Sequence, residues 1–430
     1  MWKSFMCLAG ARYLLLTASV TVLAPSVLAS DGVIADAIIV LDEAIEKTLS
    51  RNLSLIAFGH QIEAQRGRVT QSTLRPNPEL GVQVENALGS GALSGIDRAE
   101  TTLSLAWVLE RGKRQAREVA ARASVSIFES EADVRRTDVA AETARIFLES
   151  LANQELLEQT RNAVTLAKET VEAIGTRVRA GRTPDADLAR AEAQLARTQL
   201  AHEDVEHELE TSNYQLAAQW GEAQPDFLKV SGDIYNVPMV VDFKRLLIQI
   251  ERNPRLSRYL TEQRLRQAEL RLAETEAKPN WRLTAGIRRL EQSDDQAFVA
   301  GIMIPLALRN RNQGGIAEAR ANLAGVEAER TAARLQLETQ LFAYYQELQH
   351  SLHRVKTLRQ KVLPKVEKAL ADTQRAYASG RYGYFELQLV QNEVLSTQMA
   401  LVDASIDAHK RLIEIEGLTG TVITRSVKQP

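Results

Sequence analysis

Arg75-Pro76-Asn77-Pro78 leads into Glu79-Leu80-Gly81-Val82-Gln83-Val84-Glu85-Asn86-Ala87-Leu88, and far downstream Lys278-Pro279-Asn280 leads into Trp281-Arg282-Leu283-Thr284-Ala285-Gly286-Ile287-Arg288-Arg289-Leu290. In both runs apolar side chains fall on every second residue, which is the period of a strand. Each run has a partner. Residues 99–109 set Leu103, Leu105, Trp107 and Leu109 against Thr102, Ser104 and Ala106. Residues 297–308 carry Phe298, Ala300, Ile302, Ile304 and Leu306 on one face. The sequence therefore contains two β-hairpins, each opened by a Pro-Asn corner.

Outward from the hairpins, the rest of the chain also reads twice. Arg51-Asn52-Leu53 matches Arg252-Asn253-Pro254, Ala180-Gly181-Arg182 matches Ser379-Gly380-Arg381, and Trp220-Gly221 matches Glu416-Gly417. The period far exceeds the ~20–50 residues of a solenoid unit, so it marks a duplicated domain. The first repeat spans 30–221, with strands at 79–88 and 99–109 and a helical hairpin over 112–220. Residues 222–240 form a linker. The second repeat spans 241–420, with strands at 281–290 and 297–308 and a helical hairpin over 311–417, and 421–430 is a tail.

The chain of 430 residues carries 53 Lys+Arg against 55 Asp+Glu, a balance without the basic footprint of a nucleic-acid binder. Residues 1–29 read as a signal peptide. Lys3 and Arg12 supply positive charge, Tyr13 to Leu23 is apolar, and Val27-Leu28-Ala29 fits a small-residue cleavage site. The one cysteine, Cys7, lies inside this segment, so the mature chain is expected to form no disulfide or thiolate metal site. Downstream, no stretch reaches the ~18 uninterrupted apolar residues of a spanning helix. An exported product is then soluble or spans as a β-barrel, the other fold that satisfies every backbone group in lipid.

Runs of about ten alternating residues have the length of transmembrane strands, with one face to lipid and one to water. Strand by strand, a soluble sheet packed on helices reads the same. The connections tip the balance, since 89–98 is Gly- and Ser-rich and 291–296 is polar, as outer loops are. Trp107 and Trp281 suit either an interfacial girdle or a core. Four strands cannot close a barrel, which needs about eight, so spanning strands require several chains to share one barrel.

Between the hairpins the chain is helical. From Ile316 to Val362 the apolar steps alternate between three and four, which is coiled-coil spacing with slips. At ~1.5 Å per residue, 312–363 makes a rod of roughly 75–80 Å, and Pro364 is expected to break or kink it. No proline interrupts 112–183, so the first rod is expected to run longer. Small stripe residues such as Ala120, Ala140 and Ala144 suit a bundle or the wall of a hollow cylinder. An aromatic content of only 5% favours the wall. Gly181 and Gly380 suit the left-handed residue that follows a helix end.

With these residues in order, the sequence resembles the TolC-like outer-membrane factors of tripartite efflux and secretion systems, over roughly 40–420. Three stretches resemble the branch that serves cobalt–zinc–cadmium cation pumps. They are Arg75-Pro76-Asn77-Pro78-Glu79-Leu80 with Val84-Glu85-Asn86, Gly112-Lys113-Arg114 with Arg117, and Arg311-Asn312-Gln313-Gly314-Gly315-Ile316-Ala317-Glu318-Ala319-Arg320. The resemblance implies a mainly α chain with transmembrane β: a homotrimer with four strands per chain, a twelve-stranded barrel in the Gram-negative outer membrane, and a long α-helical barrel across the periplasm. It implies a periplasmic adaptor and an inner-membrane pump of the resistance–nodulation–division type as partners. Gly181, Arg182, Gly380 and Arg381 match adaptor-docking turns. Glu386 and Asp187 stand where relatives ring the pore constriction with acid, and a second acidic position falls on Leu389.

Other chemistry is sparse. Among six histidines, His202 and His207 are five apart and do not share a helix face well, while His350 and His353 can. The spacing supplies no set of about four ligands for structural zinc, so solvated helix histidines are the plain reading and no metal or cofactor is expected. No phosphate loop or nucleophile elbow is present. Gln83, Glu85, Arg282 and Arg288 are candidates for a lumen or its rim. Arg282, Arg288 and Arg289 suit a lumen, headgroup level or a loop, and the lumen or rim is favoured since charge on a lipid face is unfavourable by ~2–4 kcal/mol at mid-depth. The leading expectation is a passive exit duct for heavy-metal cations. A duct for drugs or secreted proteins is the alternative, and a periplasmic coiled-coil adaptor or an exported enzyme is the reading from another class.

Overall fold

The computed structural model describes residues 38–237 and 242–420. The expected leader with Cys7, the end of the expected linker and the tail lie outside the described residues. The first copy runs Ile38–Val40 (β1), Leu41–Arg51 (α1), Leu53–Thr73 (α2), Glu79–Glu85 (β2), Glu100–Leu109 (β3), Lys113–Arg179 (α3) and Asp185–Ala218 (α4). After Lys229–Ser231 (β4), the second runs Phe243–Ile250 (α5), Pro254–Glu276 (α6), Trp281–Leu290 (β5), Asp295–Met303 (β6), Gln313–Thr357 (α7), Leu363–Ala378 (α8) and Tyr384–Thr419 (α9).

The helix α3 has 67 residues, about 100 Å at the α-helical rise. Its return helix α4 has only 34, so α4 covers half of the rod and α2 packs along the rest. The two short helices meet end to end at Asn52. Its Oδ1 accepts from the Ser54 and Leu55 amides at 3.0 and 3.2 Å, capping α2, while its Nδ2 donates to the Gln219 carbonyl at the end of α4 at 2.7 Å. Asn253 does the same in the second copy. Its Oδ1 accepts from the Arg255 amide at 2.7 Å and its Nδ2 donates to the Gly417 and Leu418 carbonyls at 3.1 and 2.9 Å. One side chain thus satisfies orphan groups at two helix ends, which explains why an Asn recurs at each joint.

At mid-height β1 pairs in parallel with β4. Gln154 of α3 holds this strap by accepting from the Val230 amide at 2.8 Å and donating to its carbonyl at 2.9 Å. Below the strap lies the main core, with Phe147, Leu148, Leu216, Trp220, Val402 and Ile413 buried together. A side chain fully buried there contributes about 1.5–3 kcal/mol.

The hairpins join in one antiparallel sheet of four strands, ordered β2-β3-β5-β6. The register places apolar side chains in rows: Val82 opposite Leu103, Leu103 opposite Ile287, and Ile287 opposite Phe298. Among the described residues, the edges β2 and β6 have no further strand partner.

Three expectations change. The strands expected over 79–88 and 99–109 are Glu79–Glu85 and Glu100–Leu109, because Asn86 and Leu88 both take φ 57, outside the extended region. The strand expected over 297–308 is Asp295–Met303, which tightens the loop to four residues and leaves Ile304 and Leu306 beyond it. Pro364 does not end the rod. Leu358–Val362 forms a π turn and α8 continues to Ala378. A proline ring clashes with the carbonyl four residues back, and a π turn moves that carbonyl out of line.

Candidate functional site

The two faces of the sheet are chemically opposite. One carries Leu80, Val82, Leu103, Trp107, Ile287, Phe298 and Ile302, all exposed, with Leu80 at 71% and Phe298 at 76%. The other carries all four side chains expected at a lumen or rim: Gln83, Glu85, Arg282 and Arg288, which the register sets on the same side. Arg288 donates to Glu85 at 3.1 Å, Glu100 at 2.8 Å and Thr102 at 3.0 Å, bridging β2, β3 and β5. Arg282 reaches across to Glu79 at 2.9 Å. Small residues lie between these pairs, and Gly81 and Gly286 both face Ser104 in the register. At Gly286 an added Cβ would lie 2.4 Å from the Leu103 carbonyl oxygen, so only glycine fits. An apolar face of this extent left bare in water signals a contact surface, and the polar face opposite keeps its charges paired.

At the other end of the rods are two turns of one design. Gly181 and Gly380 have φ +67 and +73. Behind them, the Arg182 amide donates to the Arg177 carbonyl and the Arg381 amide to the Ala376 carbonyl, both at 2.9 Å. These are the long-range bonds of a Schellman ending, for which glycine in the left-handed region is the natural residue.

The two acidic candidates have different surroundings. Glu386 is exposed in the first turn of α9, and its Oε2 accepts from the Gly383 amide at 3.0 Å. Asp187 is half-buried in the first turn of α4. Its neighbours are Tyr377 and Tyr384, whose hydroxyls are pushed up chiefly by burial, with the Asp187 charge adding. Thus Glu386 is exposed, while half-buried Asp187 lies close enough to Tyr377 and Tyr384, which are buried with Ile174, Ala191 and Leu387, for its charge to act on their hydroxyls.

Sequence reasoning missed the residue that ties the tips. Arg177 of α3 donates to the Tyr377 and Ala378 carbonyls at 2.7 and 3.0 Å, and its guanidinium stacks 4.2 Å from the Tyr377 ring. It caps α8 from the other copy. A basic residue in the last turn of α3 reads as a cap on its own helix, so spacing gives no hint of this role.

It also missed a cluster under the strap. His409 is buried, with Nε2 3.0 Å from the Ile234 carbonyl oxygen, and burial pushes its pKa down. Burial pushes the Tyr235 hydroxyl up to about 12, with Glu155 and Asp233 adding. The Tyr235 carbonyl accepts from Arg359 in the π turn at 3.4 Å. The remaining histidines are dispersed: Nδ1 of His202 lies 2.9 Å from the Thr160 hydroxyl, and His350 and His353 are exposed. Among the described residues, no three metal-ligating side chains converge, and no helix is long and apolar enough to cross a membrane.

Comparison with known proteins adds three findings. The sequence pattern of a family described as outer membrane efflux protein matches residues 44–222 and 248–421, one segment per copy. The cobalt-zinc-cadmium resistance protein CzcC of Cupriavidus metallidurans is 26% identical over 366 residues, which cover 85% of this chain and 84% of that one. Among solved structures, a membrane protein from Pseudomonas aeruginosa superposes with a TM-score of 0.74 at 19% identity, covering 89% of this chain and 91% of that one. CusC, solved in a study of transmembrane channel formation, superposes with a TM-score of 0.72 at 15% identity, covering 89% and 92%.

Proposed function

The chain belongs to the outer membrane efflux protein family, and from that premise we propose that three copies form the exit duct of a tripartite resistance–nodulation–division system for heavy-metal cations. Family membership makes it an outer-membrane channel that extends into the periplasm, and a passive one rather than an enzyme. It also displaces the adaptor reading.

One observation carries the trimer: among the described residues, a four-stranded sheet has both edges unpaired and its apolar face bare. Unpaired edges invite pairing with further strands. In lipid every edge must be closed, and three such sheets give twelve strands, above the minimum of about eight. Leu80, Val82 and Phe298 then meet acyl chains, and Gln83, Glu85, Arg282 and Arg288 face water.

The helical rods continue the wall into the periplasm. Gly181-Arg182 and Gly380-Arg381 at their far ends are the docking points for a periplasmic adaptor, which couples the duct to an inner-membrane pump. The repeats 30–221 and 241–420 act as two near-equivalent wall segments. Three Glu386 side chains, one per copy, form an acidic ring at the inner end. Such a ring attracts cations and repels anions at close quarters. The cargo reading rests on the relative named for cobalt, zinc and cadmium resistance.

Deleting the gene and growing the strain on graded zinc, cobalt, cadmium, copper and nickel salts tests the cargo. Lower tolerance to at least one of them is expected, and unchanged tolerance to all overturns the metal reading. For the ring, Glu386→Ala is expected to raise single-channel conductance in planar bilayers and to weaken block by multivalent cations. Unaltered current and block would remove Glu386 from the constriction.

A further inference from the structure

We propose that neighbouring copies of the chain meet along an apolar seam, with Leu53 and Ile56 on α2 of one copy packed against Leu335 and Phe342 on α7 of the next. The proposal rests on the trimer reading and names the surface by which the helical wall closes.

The duplication supplies the template. Inside one chain the rod α3 is flanked on both sides, by α2 of its own copy and by α6 of the second. The α3–α6 contact is therefore a junction between copies. It is a polar one. Arg255 donates to Asp138 at 2.6 Å, Arg258 to Glu131 at 2.9 Å, and Ser130 bonds Thr261 at 3.3 Å.

The second rod has no such partner. α7 packs on α6 of its own copy and also meets α5, whose Phe243 sits edge-on to Phe342 at 5.7 Å and whose end carries Glu251, 3.1 Å from Arg334. Beyond α5, Leu335 and half of Phe342 stay exposed, while α2 packs on α3 and is exposed on its other side. The helix that corresponds to α6, and that would cover the exposed flank of α7, is an α2. The α2 of the same chain is already committed at α3, so it comes from the next copy. The open sheet edges β2 and β6 sit directly above α2 and α7 in the chain and call for the same neighbour.

The chemistry of the exposed flanks fits this assignment. Aligning Asn52 with Asn253 sets Ser54, Ala57 and His60 where α6 has Arg255, Arg258 and Thr261. The ion-pairing arginines thus have no counterpart on α2. Next to those positions, where α6 has Pro254 and Ser257, α2 carries the exposed apolar Leu53 at 68% and Ile56 at 47%, and α7 offers Leu335 at 65% and Phe342 at 53%. The heights agree as well. Leu256, the counterpart of Leu55, shares a buried cluster with Leu337 and Leu341, so the start of α6 lies level with the middle of α7. Rotation about a common axis keeps that height and carries the start of a neighbouring α2 to the Leu335–Phe342 level. Large apolar side chains clustered on two complementary flanks mark a protein contact.

The test uses the full chain, purified in detergent, with Ile56→Cys and Leu335→Cys together; the native Cys7 lies in the expected leader. A short bismaleimide is expected to give covalent dimers and trimers on a denaturing gel from the double variant and only single chains from either single variant. Native mass spectrometry of the same sample separates the two claims. Three copies without cross-links overturn the seam and leave the trimer standing, whereas a mass of one copy overturns both. As a second arm, Leu335→Glu is expected to lower the fraction of trimer that resists unheated SDS by roughly tenfold. Arg258→Ala, at the polar junction inside the chain, should leave that fraction unchanged. An unaffected Leu335→Glu trimer also overturns the seam.

Discussion

The rod of the first copy, α3, is one α-helix of 67 residues, whereas the rod of the second is α-helical for 45 residues and then passes through the π turn Leu358–Val362 into α8. The strap crosses the second rod at this level. Tyr235 packs with Leu358 and Leu363 and takes a hydrogen bond from Arg359. At the far end, Arg177 of the straight rod holds the last carbonyls of α8. One copy is a stiff wall, and the other has a softened turn, a strap over it and a tip tied by a single arginine. The two copies share one order of elements but not these details. The first rod is an unbroken α-helix, and the second holds the π turn and the helix end that Arg177 caps. Changes made in matched pairs, one in each copy, can break or sharpen this comparison.

The largest difference is expected in the sheet. Gly286→Ala pushes a Cβ to 2.4 Å from the Leu103 carbonyl oxygen, whereas at Gly81 the nearest atom is the movable Ser104 hydroxyl at 3.1 Å. Overpacking against fixed backbone should destabilise by about 3 kcal/mol, and Gly81→Ala by under ~1 kcal/mol. Urea unfolding followed by circular dichroism reads both. Equal losses would mean that the two hairpins are equally tolerant.

Next come the joints. Asn253 is buried, at 1% exposure, and makes two side-chain donations to α9, while Asn52 is half-buried and makes one to α4. Asn253→Ala should cost about 2–3 kcal/mol and Asn52→Ala about 1 kcal/mol in the same unfolding measurement. The reverse order would contradict the assignment of the tighter joint to the second copy.

The tip follows. Arg177→Ala removes two charge-assisted hydrogen bonds from the end of α8, worth about 1–2 kcal/mol at a half-buried site. Recordings in planar bilayers should show a larger open fraction, and no change would mean that α8 is held elsewhere.

The smallest effect is a pH dependence under the strap. His409 has its folded pKa pushed below the ordinary 6.5 by burial. The unfolded chain therefore takes up the proton first. Its contribution is complete above about pH 6.5 and is lost as acid carries the solution below that value. Glu155, whose pKa is raised by burial and by Asp233, works the other way, and stability returns as it takes up its proton above the ordinary carboxylate range. Melting curves between pH 7.5 and pH 5 should lose this slope in His409→Gln.

Much of this architecture was legible in the residues. Period-two alternation located the four strands of the large sheet, because each has one apolar face and one polar face with nothing else packed on it to blur the pattern. It missed the three-residue strands β1 and β4, too short to show a period. The strand ends were not legible. Nothing in Asn86 or Leu88 announces a positive φ, and Ile304 and Leu306 continue the alternation after pairing has stopped. Gly181 and Gly380 marked the tips, since a left-handed turn selects glycine. Pro364 announced a disturbance but not its form, because a π turn and a kink answer the same clash. The acidic pair looked alike in sequence, yet Glu386 is exposed and Asp187 is half-buried near Tyr377 and Tyr384. Arg177 acts across the two copies and His409 reaches Ile234 of the linker, and contacts between segments so far apart leave no local pattern to read.

Imaging the purified protein in lipid nanodiscs by electron microscopy, viewed down the long axis, tests the shared barrel most directly. The expected result is a three-fold particle in which twelve strands enclose one lumen, with Leu80, Val82 and Phe298 against lipid. A single chain whose four-stranded sheet is covered by protein and never meets lipid would contradict it.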